Sequence, residues 1–214
     1  MLRELFLSLC LGLVGALGAW PGLRGPDPLA TLGWIALAAL PCGLAAGVWR
    51  LKPWPFAASV PALWGIALAL AGALSERALP APSWAALVWC GLFAAGWGLA
   101  RGFELGTRAA AVASLALTAL AILPSAGAVL GRPWPPAASA RLLDLSPATL
   151  ALESAGVDWM HHPAIYEPAG ALDIDPGLRR PWEGKLAGPA LLLVGFGLAA
   201  FGAGRARRRE RARA

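Results

Sequence analysis

The sequence predicts an all-helical, polytopic membrane protein with about six transmembrane helices and an extracytoplasmic segment between the fifth and the sixth. Three observations carry this prediction. Of the 214 residues, 58% are hydrophobic and 14% charged, against about 45–50% and about 25% in soluble domains. The mean hydropathy is +0.62. The apolar residues also gather into six runs without a single Asp, Glu, Lys, Arg or His: Leu5–Trp20, Leu29–Trp49, Phe56–Leu74, Ser83–Ala100, Ala109–Leu130 and Gly188–Gly204. A membrane-spanning helix needs about 20 such residues, with a range of about 17–25. The predicted organisation is five spans in residues 1–130, an extracytoplasmic loop over 131–187, a sixth span over 188–204 and a basic cytoplasmic tail over 205–214.

The first run follows Arg3 and leads to small residues near Ala16 and Ala19, as a signal peptide would. Glu4 dilutes its basic start, and Leu9 rather than a small residue precedes Cys10, so an uncleaved anchor is the expectation. Runs two and five have full spanning length. Pro41 and Pro124 fall inside them and are expected to kink the helices, because proline removes a backbone donor.

Orientation follows from lysine and arginine. With a cytoplasmic N-terminus, the inner side holds Arg3, Arg50, Lys52, Arg101, Arg108 and six tail arginines, and the short outer loops hold only Arg24 and Arg77. The remaining five lie in the 131–187 segment, so even with that loop counted outside the ratio is eleven to seven. Basic residues favour the cytoplasmic side. Both termini are therefore expected there, in a bacterial plasma (inner) membrane. The net charge of +6 suits anionic headgroups rather than nucleic acid, since it lacks a basic patch interleaved with aromatics. Trp20, Trp49, Trp54, Trp84 and Trp182 stand near run ends, where indole rings suit the interface, whereas Trp64 and Trp89 read as packing residues.

Glycines at four-residue spacing, in Gly43/Gly47, Gly98/Gly102/Gly106 and Gly127/Gly131, would let membrane helices approach closely. The cysteines, Cys10, Cys42 and Cys90, each sit in an apolar run and imply no disulfide framework. Inside the runs the polar groups include Ser8, Ser59, Ser114 and Thr118, which can bond their own helix backbone. No mid-membrane carboxylate is available for a proton relay.

Polar chemistry concentrates in 131–187, which holds seven of the twelve acids and both histidines. Its first half predicts a broken amphipathic helix: Leu142, Leu145, Thr149 and Leu152 recur at helical spacing, with Leu143 and Leu150 beside them. Ser146 and Pro147 form an N-cap and first-turn pair, and Gly156 is a stop. This piece is expected to lie in the outer interface, a cap packed on the loop itself being the alternative. The run from Asp158 to Glu167 contains Asp158, His161, His162 and Glu167, the chain's candidates for catalysis. Of these, Asp158, His161 and His162 compose a candidate donor set for a divalent metal. Asp158 and His161 would share a face if they lay in one helical turn, although Pro163 disfavours helix at His162. The prevailing expectation is a hydrogen-bonded structural turn that Trp159 and Tyr166 anchor at the membrane interface, with no cofactor.

The chain contains no nucleophile elbow, zinc-protease motif, nucleotide-binding loop or Cys-x-x-Cys pair. In layout alone, six helices with both ends inside and an external helical element before the last, it resembles exporter-type ABC permeases. No residue motif carries that resemblance, so no site transfers with it. The expected function is a non-catalytic, permease-like subunit of a transport or export complex. Its expected partners are the lipid bilayer, other membrane subunits and an ATP-binding subunit. The alternatives are a membrane-embedded enzyme with an outer-leaflet site at Asp158, His161 and His162, and a purely structural membrane protein.

Overall fold

A computed structural model describes residues 28–50, 82–129, 135–159 and 184–212. Every regular element among them is helical: α1 Pro28–Val48, α2 Pro82–Gly102, α3 Thr107–Val129, α4 Pro136–Leu145, α5 Pro147–Ser154 and α6 Gly184–Arg211. The runs Leu5–Trp20 and Phe56–Leu74 lie outside the described residues, with Cys10, Ser8 and Ser59. Two described helices contain stretches long and apolar enough to cross a membrane, Ser83–Gly102 and Leu186–Arg205.

The helix boundaries follow local chemistry. Proline opens four of the six helices: Pro28, Pro82, Pro136 and Pro147 are first helical residues, where the missing N–H costs nothing, whereas Pro189 lies inside α6. The C-termini close through left-handed residues. Gly156 has φ 73° and ends α5, with Gly156 N–H donating to Glu153 O and Val157 N–H to Leu152 O, both at 3.0 Å. Arg50 and Glu104 occupy the equivalent left-handed positions after α1 and α2, at φ 54° and 52°.

The three long helices α1, α2 and α6 run parallel, with α2 in the middle. Their register is fixed by glycines. On α1, a Cβ at Gly43 would lie 2.9 Å from Trp97 N, and one at Gly47 would lie 2.5 Å from Ala100 Cβ, so the helices match in ascending order. On the other side of α2, Gly91 faces Leu191, Gly98 faces Gly195 and Gly102 faces Leu198, again ascending. Direct backbone contact of this kind maximises dispersion between helices that lack large interlocking side chains. The expected pairs Gly43/Gly47 and Gly98/Gly102 therefore mark real interfaces. Gly106 does not, having no neighbour within 4 Å, and Gly127/Gly131 falls partly outside the described residues. The α6 half of the second interface uses Gly188, Gly195 and Gly202, a seven-residue spacing.

The chain turns at 103–106 into α3, which runs back along α1. Thr118 Oγ1 donates to Ser114 O at 2.8 Å, the bond to its own helix backbone expected of a hydroxyl in an apolar run. Pro41 and Pro124 both fall within continuous helices. The sixth helix is longer than its apolar run at both ends. It starts at Gly184 and continues through Arg205–Arg211, so the basic segment is helical as far as Arg211. Arg205 lies over the Phe201 ring, 5.7 Å from its centre, one turn back.

Candidate functional site, a cap and the cavity beneath it

Helices α4 and α5 form a cap over the N-terminal ends of α1, α2 and α6. The single broken helix expected from sequence is two helices hinged at Ser146. Ser146 precedes a proline, is extended at φ −74° and ψ 127°, and serves as C-cap to α4 and N-cap to α5. Its side chain makes no cap bond; Thr149 satisfies the hinge instead, its Oγ1 donating to the carbonyls of Leu143 and of Ser146, the latter at 2.9 Å.

This hinge splits the expected leucine stripe. Thr149 and Leu152 are buried, Leu142 is half-buried and Leu145 is 75% exposed. Leu143, Leu150, Leu152 and Ala155 enter the same core cluster as Ala36 and Ala39 of α1, Val88 and Trp89 of α2, and Ala187 of α6. The buried side of the cap thus packs on the helix ends. Ala148 Cβ stands 3.8 Å from where a Cβ on Gly33 would be, which places α5 beside the first turns of α1.

Of the four residues singled out around the histidines, only Asp158 is described. It is exposed and lies in irregular chain beyond the Gly156 stop. His161, His162 and Glu167 lie outside the described residues. Among the described residues no group of three or more His, Cys, Asp or Glu side chains is close enough to hold a metal. Trp159, expected at a membrane interface, is buried at 3% exposure, and its indole N–H donates to Glu153 Oε1 at 3.3 Å. The bond ties the chain after α5 back onto α5.

Sequence reasoning missed the feature beneath this cap. A cavity of about 490 Å³ lies between the cap, α1, α3 and α6, with Leu92 of α2 at its base. Its lining is aliphatic apart from Thr118, Asp144 and the prolines Pro41 and Pro147. No sequence signal announces it, because its walls come from six separate helices. Pro41 is the nearest to one: it has no N–H to give the Leu37 carbonyl one turn earlier, and both residues line the cavity.

Charge divides along the helices. The parallel register brings the C-terminal ends of α1, α2 and α6 together, and there stand Arg50, Arg101 and Arg205, all exposed, with Arg108 just after the α2–α3 turn. The opposite end carries the cap with Asp144, Glu153 and Asp158 together with Arg141, and Glu104 stands among the arginines of the first end. Comparison with protein-family models, with curated proteins and with solved structures found no match to this chain.

Proposed function

We propose that the chain is a six-span protein of the bacterial inner membrane, with both termini in the cytoplasm and the α4–α5 cap outside, and that it acts as a non-catalytic, permease-like subunit of a transport or export complex. The observation that carries the reading is the parallel packing of α1, α2 and α6 with arginines gathered at one end. Parallel neighbours in one bilayer require the chain to return between them each time. The helix α3 makes one return, and the sequence between α1 and α2 contains the apolar run Phe56–Leu74 needed for the other. The arginine-bearing end is then cytoplasmic by the charge rule.

Exposed apolar surface supports the membrane setting. Val112, Leu115 and Leu120 on α3, and Leu193, Phe196 and Phe201 on α6, are all more than half exposed. Faces of that kind need lipid or the helices of a partner subunit. The role as a subunit is supported by the lack of any nucleotide-binding loop in the sequence, which leaves energy coupling to another chain. The test is affinity purification of the full chain from native membranes in mild detergent. Recovery of a stoichiometric ATP-binding protein or second membrane protein supports the proposal, and a strictly monomeric particle with no companion contradicts it.

A further inference from the structure

One face of α6 changes its chemistry along its length. Leu191, Val194, Leu198, Phe201, Arg205 and Arg208 follow one another at three- and four-residue steps, so they share one stripe of the helix. Leu191 and Leu198 are half-buried, Val194 and Phe201 are 54% and 55% exposed, and both arginines are exposed. Arg205 turns back onto the stripe, its guanidinium resting over the Phe201 ring. From Val194 to Arg205 the helix rises about 16 Å at about 1.5 Å per residue. That is close to half the hydrocarbon core of a bilayer, which is about 30 Å thick. The stripe thus has the length of one leaflet of acyl chains, and its cations stand where the headgroups of that leaflet begin.

The charge at this end of the stripe is open to a ligand. Among the described residues neither Arg205 nor Arg208 pairs with a carboxylate. The acids near them are Glu104, in the α2–α3 turn, which has a partner of its own, and Glu210, about 140° round the helix from Arg205. Arg209, one turn past Arg205, adds positive charge on the same side of the helix, whereas Arg207 and Arg211 fall on other sides. We propose that the stripe binds an anionic phospholipid, its phosphate at Arg205 and Arg208 and one acyl chain along Phe201, Leu198 and Val194. Guanidinium groups form charge-assisted, bidentate bonds with phosphate oxygens. Basic pockets at the cytoplasmic ends of membrane helices bind phospholipid headgroups in this way. The proposal rests on the membrane setting of α6, and on neither the subunit role nor the side of the membrane.

That setting is measured first and separately: the purified full chain should float with vesicles of phosphatidylcholine, which carry no net charge. Failure to float removes the setting and the proposal together. The delipidated full chain in non-ionic detergent is then titrated, by native mass spectrometry, with phosphatidylglycerol and with phosphatidylcholine of identical chains. Phosphatidylglycerol should bind at least tenfold more tightly. Arg205→Ser with Arg208→Ser should weaken it about 25-fold, about fivefold for each arginine at an anionic surface, and leave phosphatidylcholine unchanged. Arg207→Ser with Arg211→Ser removes the same charge off the stripe and should change binding less than twofold. Glycerophosphoglycerol, the same headgroup without chains, should not compete. Equal losses from the two arginine pairs overturn the proposal, because they mean diffuse attraction to the basic helix. Equal affinity for the two lipids overturns it too, as does competition by the chainless headgroup.

Discussion

Gly98 of α2 and Gly195 of α6 meet backbone to backbone. A methyl group on Gly98 would strike the Gly195 carbonyl, and one on Gly195 would strike the Ala94 carbonyl. Neither neighbour is a flexible side-chain end that could swing away, so relief requires the helices to separate. Gly98→Leu or Gly195→Leu should therefore cost about 3 kcal/mol or more, at or beyond the upper end for overpacking. Gly197, on the same helix with nothing within 4 Å, is the control, and Gly197→Ala should be neutral or slightly stabilising. Thermal melting of the purified variants in one detergent checks both.

The seat of the cap on α1 is testable by cross-linking. The Gly33–Ala148 separation of 3.8 Å equals the mean Cβ–Cβ distance of natural disulfides, about 3.8 Å. In a background with Cys10, Cys42 and Cys90 replaced by alanine, Gly33→Cys with Ala148→Cys should form an intramolecular disulfide under mild oxidation. Peptide mass spectrometry before and after reduction reads the result. Free thiols at both positions would mean that α5 does not lie there.

At the hinge between α4 and α5, one hydroxyl serves two carbonyls. Thr149→Val keeps the shape but removes the donor to Leu143 O and Ser146 O. Both carbonyls keep a backbone donor, Ser146 N–H on Leu143 O and Leu150 N–H on Ser146 O, so the cost is that of one buried hydrogen bond, about 0.5–1.5 kcal/mol, and Thr149→Ser should restore most of the loss. Limited proteolysis of the folded protein should show faster cutting between residues 136 and 159 in the valine variant only.

The α5 stop depends on a left-handed residue, since Gly156 has φ 73°. Gly156→Ala should destabilise the cap by about 1 kcal/mol. Because Trp159 docks only after this turn, with its indole on Glu153, the same variant should raise the solvent exposure of Trp159. Iodide quenching of a chain whose other tryptophans are replaced by phenylalanine would measure it.

How much of this was legible depended on how local each determinant is. The helices α1, α2, α3 and the core of α6 were readable from charge-free length, and the hinge from Ser146-Pro147, because helix termini answer to neighbouring residues. The α1–α2 interface was readable from Gly43 and Gly47. The α2–α6 interface was only half readable: Gly98 and Gly102 carry the four-residue spacing, while Gly188, Gly195 and Gly202 keep their shared face at seven, which is two turns. The helical extension through Arg205–Arg211 was obscured by reading its charge as a boundary, although arginine is itself a good helix former. Trp159 was placed at an interface because amphipathic rings favour one, and the structure buries it against the cap. The cavity was not legible at all, since it exists only where six helices fail to fill the space between them.

The most direct test of the account is the side of the membrane on which the cap lies. Paired fusions of alkaline phosphatase, active only outside the cytoplasm, and of green fluorescent protein, fluorescent only inside it, should be made after Gly170 and after Ala214. Phosphatase activity without fluorescence after Gly170, and the reverse after Ala214, is the predicted result. Cytoplasmic reporting at both positions, or the opposite pattern, would contradict the six-span topology and the functional proposal built on it.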